Sequence, residues 1–368
     1  MPPPTPRELA LALNASPSVP RAAACLLAGC LDEWTEAAEA DSSRLSRRLG
    51  VSPRALAAAL ALRERAAELA GRETAAAARE GARTLVRGDA DYPESLLHLS
   101  LPPPALYCLG ELPAGPAVAI VGSRRAESWA LEAARWLGHE LAAAGVLVVS
   151  GLALGVDAAA HRGALAANGG RTVAVLGCGL AIDYPRGHRA LAREIAASGA
   201  VVSEFPPHTP PEPWRFPVRN RLIAALAAGV VVVSAVPRSG SLVTARLALE
   251  LGREVMALPA RIFDETGLGT NALLRDGATL VRHPDDVLQA LGLDRPSAAS
   301  APRPRRDGEP DGPANPLVAL LAAGGPVELD ALAAAAGRPV DELLGELLEL
   351  ELSGRVRRLP GPRFEVLR

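Results

Sequence analysis

The sequence contains no lysine, so all 39 of its basic side chains are arginines. Every cation is therefore a planar guanidinium, able to fork onto a phosphate or lie flat on a ring, and none is the compact ammonium of lysine. A GC-rich coding sequence would empty lysine in the same way, so its absence alone assigns no function. Aromatic residues make up only 3% of a chain that is 49% hydrophobic. With Ala, Leu and Val supplying most of that fraction, a β-sandwich core is excluded in favour of Ala-rich helices and α/β layers. The four cysteines, Cys25, Cys30, Cys108 and Cys178, form no CxxC pair and no His/Cys cluster at metal spacing. Reduced thiols are expected, with no disulfide framework, no zinc and no cofactor. No apolar run reaches the ~18 residues that span a bilayer. The opening MPPPTPRELA lacks a basic segment followed by an apolar stretch, so the expected location is cytoplasmic, with no membrane partner. A net charge of -2 offers no global attraction to a polyanion. Any nucleic-acid site must come from local clustering of arginine.

The 368 residues suffice for two or three domains. Residues 1–82 read as short amphipathic helices separated by Pro, Gly and Ser, a small all-α module. From 85 to 293 the pattern changes to apolar runs, AVAIV (117–121), VLVVS (146–150), TVAVL (172–176), AVVSE (200–204), VVVVS (230–234) and EVMAL (254–258), with helical stretches between most of them. Continuous apolar strands alternating with helices predict a parallel sheet covered on both faces, a Rossmann-like doubly wound α/β fold. Residues 294–314 are rich in Pro, Ser, Ala and charge without any period, which predicts a flexible linker. Residues 315–368 carry three helical patterns and a short hairpin, VRRLPGPRFEVL, the ingredients of a winged helix.

Open parallel sheets bind ligands at the carboxyl ends of their strands, so function is read in the loops that follow each strand. After the first comes VGSRR, in which Gly122 lets a backbone approach closely, Ser123 offers a hydroxyl and Arg124 a guanidinium fork. After the second, SGLALGVDAAAH leads into a helix start that favours anions. The third leads toward Arg186 and Arg189, the fourth toward PWRFPVRNR with Arg215, Phe216, Arg219, Asn220 and Arg221, and the fifth into PRSGSLVTA with Ser239, Gly240, Ser241 and Thr244. One Gly-rich loop of this kind is only a tight βα connection. Five of them meeting at one edge predict a polyanion track.

The alternative for each arginine is a solvated surface or an ion pair with a helix Glu. Arg124 and the pair Arg219 and Arg221 are flanked by Gly, Ser and Asn rather than carboxylates, which favours phosphate contact. Phe216 and Trp214 sit among arginines in a chain poor in aromatics, a combination used to stack the bases of single strands; the alternative is a core Phe and a rim Trp. Asp157 and His161 lie four apart, on one helix face, without a second His or Cys set. Structural roles are expected for both, and no catalytic residue is assigned. The GCG at 177–179 lacks the rest of a dinucleotide fingerprint.

Taken together, AIVGSRR, VVSGLALGVDAAAHRGAL, VAVLGCGLAIDYP, VVSEFPP, FPVRNRLIAAL, SGSLVTARLALELGREVMALP and GTNALLRDGA resemble, in order and spacing, the DprA/Smf DNA-processing family. The resemblance runs from about Tyr92 to His283, DYPESLLHLSLPPPALYCLGEL is similar to the family's lead-in segment, and the C-terminal module to its winged helix. The N-terminal helices look like the family's SAM-like or helix-hairpin-helix module but lack a Gly-x-Gly hairpin at SPSVPRAA, so no DNA contact is assigned there.

The resemblance implies a cytoplasmic homodimer that coats incoming single-stranded DNA, protects it and loads the RecA recombinase in natural transformation. It implies phosphate contacts at Arg124 and Arg186 and base stacking at Phe216. A lysine that some relatives place before this aromatic is absent, Pro213 standing near its position with Arg215 the nearest replacement. His188 and Ala130 stand where the family more often has Asn and Gly, departures expected to alter affinity more than function. Binding rather than catalysis is therefore expected. A nucleotide hydrolase of the related lysine-decarboxylase-like fold is the competing reading, but SGSLVTARLALE lacks that fold's paired glycines and its Glu at matching distance. A double-strand regulator acting through the winged helix is a third, opposed by the acidity of DELLGELLELEL.

Overall fold

The computed structural model describes residues 3–35, 42–293, 317, 320, 321, 327–352, 356–359, 361 and 363–366. The stretch expected to be a linker, 294–314, lies outside the described residues. The chain forms two compact units, 1–297 and 298–368.

The first unit opens with helices α1 (Pro6–Ala15), α2 (Arg21–Leu27), α3 (Leu31–Thr35), α4 (Ser42–Arg48), α5 (Pro53–Leu62) and α6 (Ala66–Arg79). Thr5 and Glu8 form a capping box at the start of α1, where Pro6 occupies the first turn and loses no hydrogen bond. Leu13, Leu27, Trp34 and Leu56 meet in the core of this helical layer.

There follow strands β1 (Ala82–Val86), β2 (Ala105–Gly110) and β3 (Ala117–Val121), then α7 (Ser128–Ala143), β4 (Leu147–Ser150), α8 (Val156–Ala166), β5 (Thr172–Leu176), α9 (Arg189–Ser198) and β6 (Ala200–Ser203). The remainder is α10 (Arg215–Leu226), β7 (Gly229–Val232), α11 (Gly240–Glu250), β8 (Glu254–Ala257), α12 (Leu268–Arg275), β9 (Thr279–Leu280) and α13 (Pro284–Ala290). All nine strands join one sheet in the order β1-β2-β6-β5-β4-β3-β7-β8-β9. From β6 to β9 every pairing is parallel. β1 and β2 extend the sheet antiparallel beyond β6, an edge that apolar runs did not announce.

Alternation sorts the strand residues between two covers. Val118 and Ile120 pack with Leu137, Leu141 and Ala160 from α7 and α8. Ala117, Ala119 and Val121 pack with Leu222, Ile223 and Ala245 from α10 and α11. Each fully buried Val, Leu or Ile contributes about 1.5–3 kcal/mol, and burial on both faces is why these strands read as unbroken apolar runs. The doubly wound fold follows. Because β4, β5 and β6 step outward from β3 on one side while β7 pairs with its other side, the strand order reverses between β3 and β7.

The second unit holds β10 (Val327–Glu328), α14 (Leu329–Ala336), α15 (Val340–Leu352), β11 (Val356–Leu359) and β12 (Arg363–Val366), with the strands ordered β10-β12-β11. Leu317, Leu321, Leu332, Leu343, Leu347 and Phe364 form its core, a winged-helix arrangement.

Candidate nucleic-acid interface

A cavity of about 60 Å³ lies at the carboxyl ends of β3, β4 and β5, lined among others by Arg124, Gly151, Gly177, Tyr184, Phe216 and Arg219. Its lining also takes in Ala153, Leu154, Leu176, Cys178 and Pro185. Three loops and the first turn of α10 meet there.

Phe216 is the second residue of α10 and its ring forms one wall. It lies 5.2 Å from the ring of Tyr184, and a Cβ on Gly177 would come within 2.7 Å of it, so only glycine admits the ring at that point. The Arg124 guanidinium sits 5.0 Å from the Phe216 centroid, on the face of the ring. Arg124 is exposed and has no carboxylate within ion-pair distance among the described residues.

Arg219 forms the floor. It is only 4% exposed, and its guanidinium donates to the carbonyls of Gly151, at 2.8 Å, and Val175, while Nε donates to Asn220 Oδ1 at 3.1 Å. A side chain on Gly151 would collide with this guanidinium at 2.6 Å. Burial pushes Arg219 down to about 10, opposed by Asp157 and assisted by Arg124, so it keeps its charge near neutrality. Asp157, inside the first turn of α8, accepts from the amides of Gly151 at 3.1 Å and Ala153 at 3.4 Å; burial raises its pKa and Arg219 opposes the rise. The carboxylate thus shapes the β4 loop. His161 is fully buried, its Nδ1 2.7 Å from the Thr172 hydroxyl, and burial lowers it to about 3, with His188 and Arg219 adding to the shift. Cys178 is pushed up to about 11 by burial and stays a thiol.

The remaining residues expected from sequence fall in several places. Gly122 and Ser123 lead into the Arg124 turn, where Ser123 Oγ accepts from the Arg125 amide at 3.1 Å. Arg186 is exposed and follows Pro185 on the cavity rim. His188 is buried, its Nδ1 3.1 Å from the Leu152 carbonyl, and Ala130 of α7 is buried in the core with Val118 and Ile120. Ser239, Gly240, Ser241 and Thr244 start α11, outside the cavity lining; Ser239 and Ser241 hydroxyls lie 2.7 Å apart, and Asn220 Nδ2 donates to the Gly240 carbonyl at 3.1 Å. Arg215 pairs with Glu212 at 3.1 Å and donates to the Pro210 carbonyl.

The free phosphate contact expected of the pair fits neither Arg219, buried against carbonyls, nor Arg221. Two residues beyond Arg219, it is turned about 200° around the helix. It meets the fully buried Glu204 at 2.5 Å and donates to the Leu101 carbonyl at 2.8 Å. Arg21 from α2 reaches the same Glu204 oxygen at 2.7 Å, so this carboxylate joins the helical layer to the sheet. Tyr184 and Gly177 are the wall residues that sequence reasoning left out of the site, although an aromatic directly ahead of Pro185 and Arg186 was a usable signal.

Fold and site together define a class: a Rossmann-like core with an aromatic-walled, arginine-lined cavity at its strand ends, followed by a winged helix. Residues 83–292 match the family model of DNA recombination-mediator protein A, and residues 296–362 match that of the DprA winged helix domain. The chain belongs to the DprA/Smf family of DNA-processing proteins. It is 44% identical to protein Smf of Escherichia coli strain K12 over 288 residues, 75% of this chain and 76% of that protein. Among solved structures it is similar to DprA of Streptococcus pneumoniae, with a TM-score of 0.64 and 30% identity across 78% of this chain and 98% of that one. It is also similar to DprA of Helicobacter pylori, described for its single-stranded DNA binding mode, with a TM-score of 0.52 and 34% identity across 57% and 95% of the two chains.

Proposed function

We propose that this protein binds single-stranded DNA at the strand-end cavity, protects it and passes it to the RecA recombinase. The observation that carries the reading is the unpaired Arg124 guanidinium lying over the Phe216 ring, a cation and a stacking surface presented together at one rim. Arg124 and Arg186 are the phosphate contacts, Phe216 the base platform, and Arg219 the buried strut that fixes loop and helix beneath them. Guanidinium groups neutralise phosphates whatever the sequence, and a ring accepts any base, so the binding is sequence-tolerant. The single-strand binding described for the Helicobacter pylori relative supports this reading.

The protein acts by binding rather than catalysis. Asp157 accepts from the amides of Gly151 and Ala153, His161 is buried with its Nδ1 against Thr172, and neither side chain lines the cavity. The working form is a cytoplasmic homodimer. Supporting self-association are the open edge at β9 and the exposed apolar residues Ile262, Phe263 and Leu268, Phe263 being 92% exposed. No described helix is long and apolar enough to cross a membrane. A gel-shift comparison of single- and double-stranded DNA at two salt concentrations tests the core of the proposal: the single strand should be retained preferentially, and equal retention of both would overturn it. Sedimentation of the protein alone tests the dimer, and the rate of RecA assembly on the coated strand tests the hand-over.

A further inference from the structure

Trp214 stands directly before α10 and is 51% exposed, whereas Trp34 is completely buried. A single exposed ring needs no explanation by itself, and Trp136 is also 42% exposed. Trp214 is held still. Its indole N–H donates to the Glu212 carboxylate, the Arg215 guanidinium lies 4.9 Å from its centroid, and the buried Phe205 ring meets it edge-on at 6.4 Å and 86°. Arg215 is itself set 5.5 Å from the Phe205 centroid, with its charge balanced by Glu212 at 3.1 Å.

The segment before the indole, PPHTPPEP at 206–213, is rich in proline and has little freedom to lose. It is pinned to the loop after β5 by Gly179 N–H donating to the Thr209 carbonyl and Ala181 N–H to the Pro207 carbonyl, both at 2.9 Å. That same loop continues to Tyr184, which packs on Phe216. Trp214 and Phe216 are therefore fixed by one rigid assembly, two residues apart at the start of one helix. At this spacing their side chains diverge around the helix, so each ring can serve a different group.

We infer that Trp214 is a second stacking platform on the opposite side of the start of α10, taking a nucleobase further along the strand than the one held at Phe216. This rests on the single-strand reading above and extends it. A preordered ring avoids the entropy cost of fixing a mobile one, and a π-face is blind to base identity, so the site would lengthen the footprint without adding sequence preference. The cation behind the ring, paired with Glu212, neither recruits nor repels the phosphate.

The test uses the full chain with dT oligonucleotides of increasing length. Trp214→Ala should weaken binding by about 5- to 150-fold, the equivalent of one stacked base, while Trp214→Phe retains most of the affinity. The loss should vanish on oligonucleotides too short to reach past Phe216, which a merely structural role would not produce. Wild-type minus Trp214→Phe difference emission isolates the indole and should be quenched by saturating oligonucleotide even if the alanine variant folds poorly. Undiminished emission, or a Trp214→Ala affinity equal to wild type while Phe216→Ala is weakened, overturns the second platform and leaves the first. Absence of single-strand binding by the wild type removes both.

Discussion

On one side of α10, Arg124 extends over Phe216 with no carboxylate in ion-pair reach among the described residues; on the other, Arg221 and Arg21 close on the buried carboxylate of Glu204. The side chains are chemically identical. What separates them is pairing and burial. A guanidinium already desolvated and bonded to carbonyls or a carboxylate holds the protein together, whereas one left in water over a ring is free to exchange its hydration for a phosphate. The difference predicts that damage to the two sides will appear in different measurements.

The largest effect belongs to the paired side. Glu204→Ala leaves two partly buried guanidinium groups without a counter-charge and should cost about 3–5 kcal/mol of stability, read as a lower urea midpoint. An unchanged midpoint would erase the distinction between the two sides. On the open side, Phe216→Ala should remove about 1–3 kcal/mol of single-strand binding, measured by fluorescence anisotropy. Next comes the buried His161 of α8. The folded chain keeps His161 neutral down to about 3, while the unfolded chain takes up a proton near 6.5. Stability from this group is therefore complete above pH 6.5 and lost as the pH falls, at about 1.4 kcal/mol per pH unit, until the folded value is reached. Denaturation curves from pH 7 to 4.5 should show that slope, and His161→Gln should flatten it.

Much of the sheet was legible because β3 to β8 are buried on both faces and leave unbroken apolar runs, and the strand-end rule then led to Arg124, Phe216 and the loops around them. The edge strands β1 and β2 were not legible. They pair antiparallel without intervening helices, and ALYCLG follows three prolines that read as a lead-in. The fate of Arg221 was equally hidden, since its partner Glu204 lies on another element and the approach of Arg21 depends on how the N-terminal helices pack. Sequence spacing places a side chain on a helix face; only the tertiary fold says which acid waits there.

Phosphate capture by Arg124 is read out by titrating labelled dT and mixed-sequence oligonucleotides into wild type and Arg124→Ala over a range of salt concentrations. Arg124→Ala should bind every sequence more weakly to the same degree, with unchanged stability and a log-log salt dependence shallower by about 0.7 for the one lost phosphate contact. An Arg124→Ala protein with the affinity and salt slope of the wild type would contradict that capture.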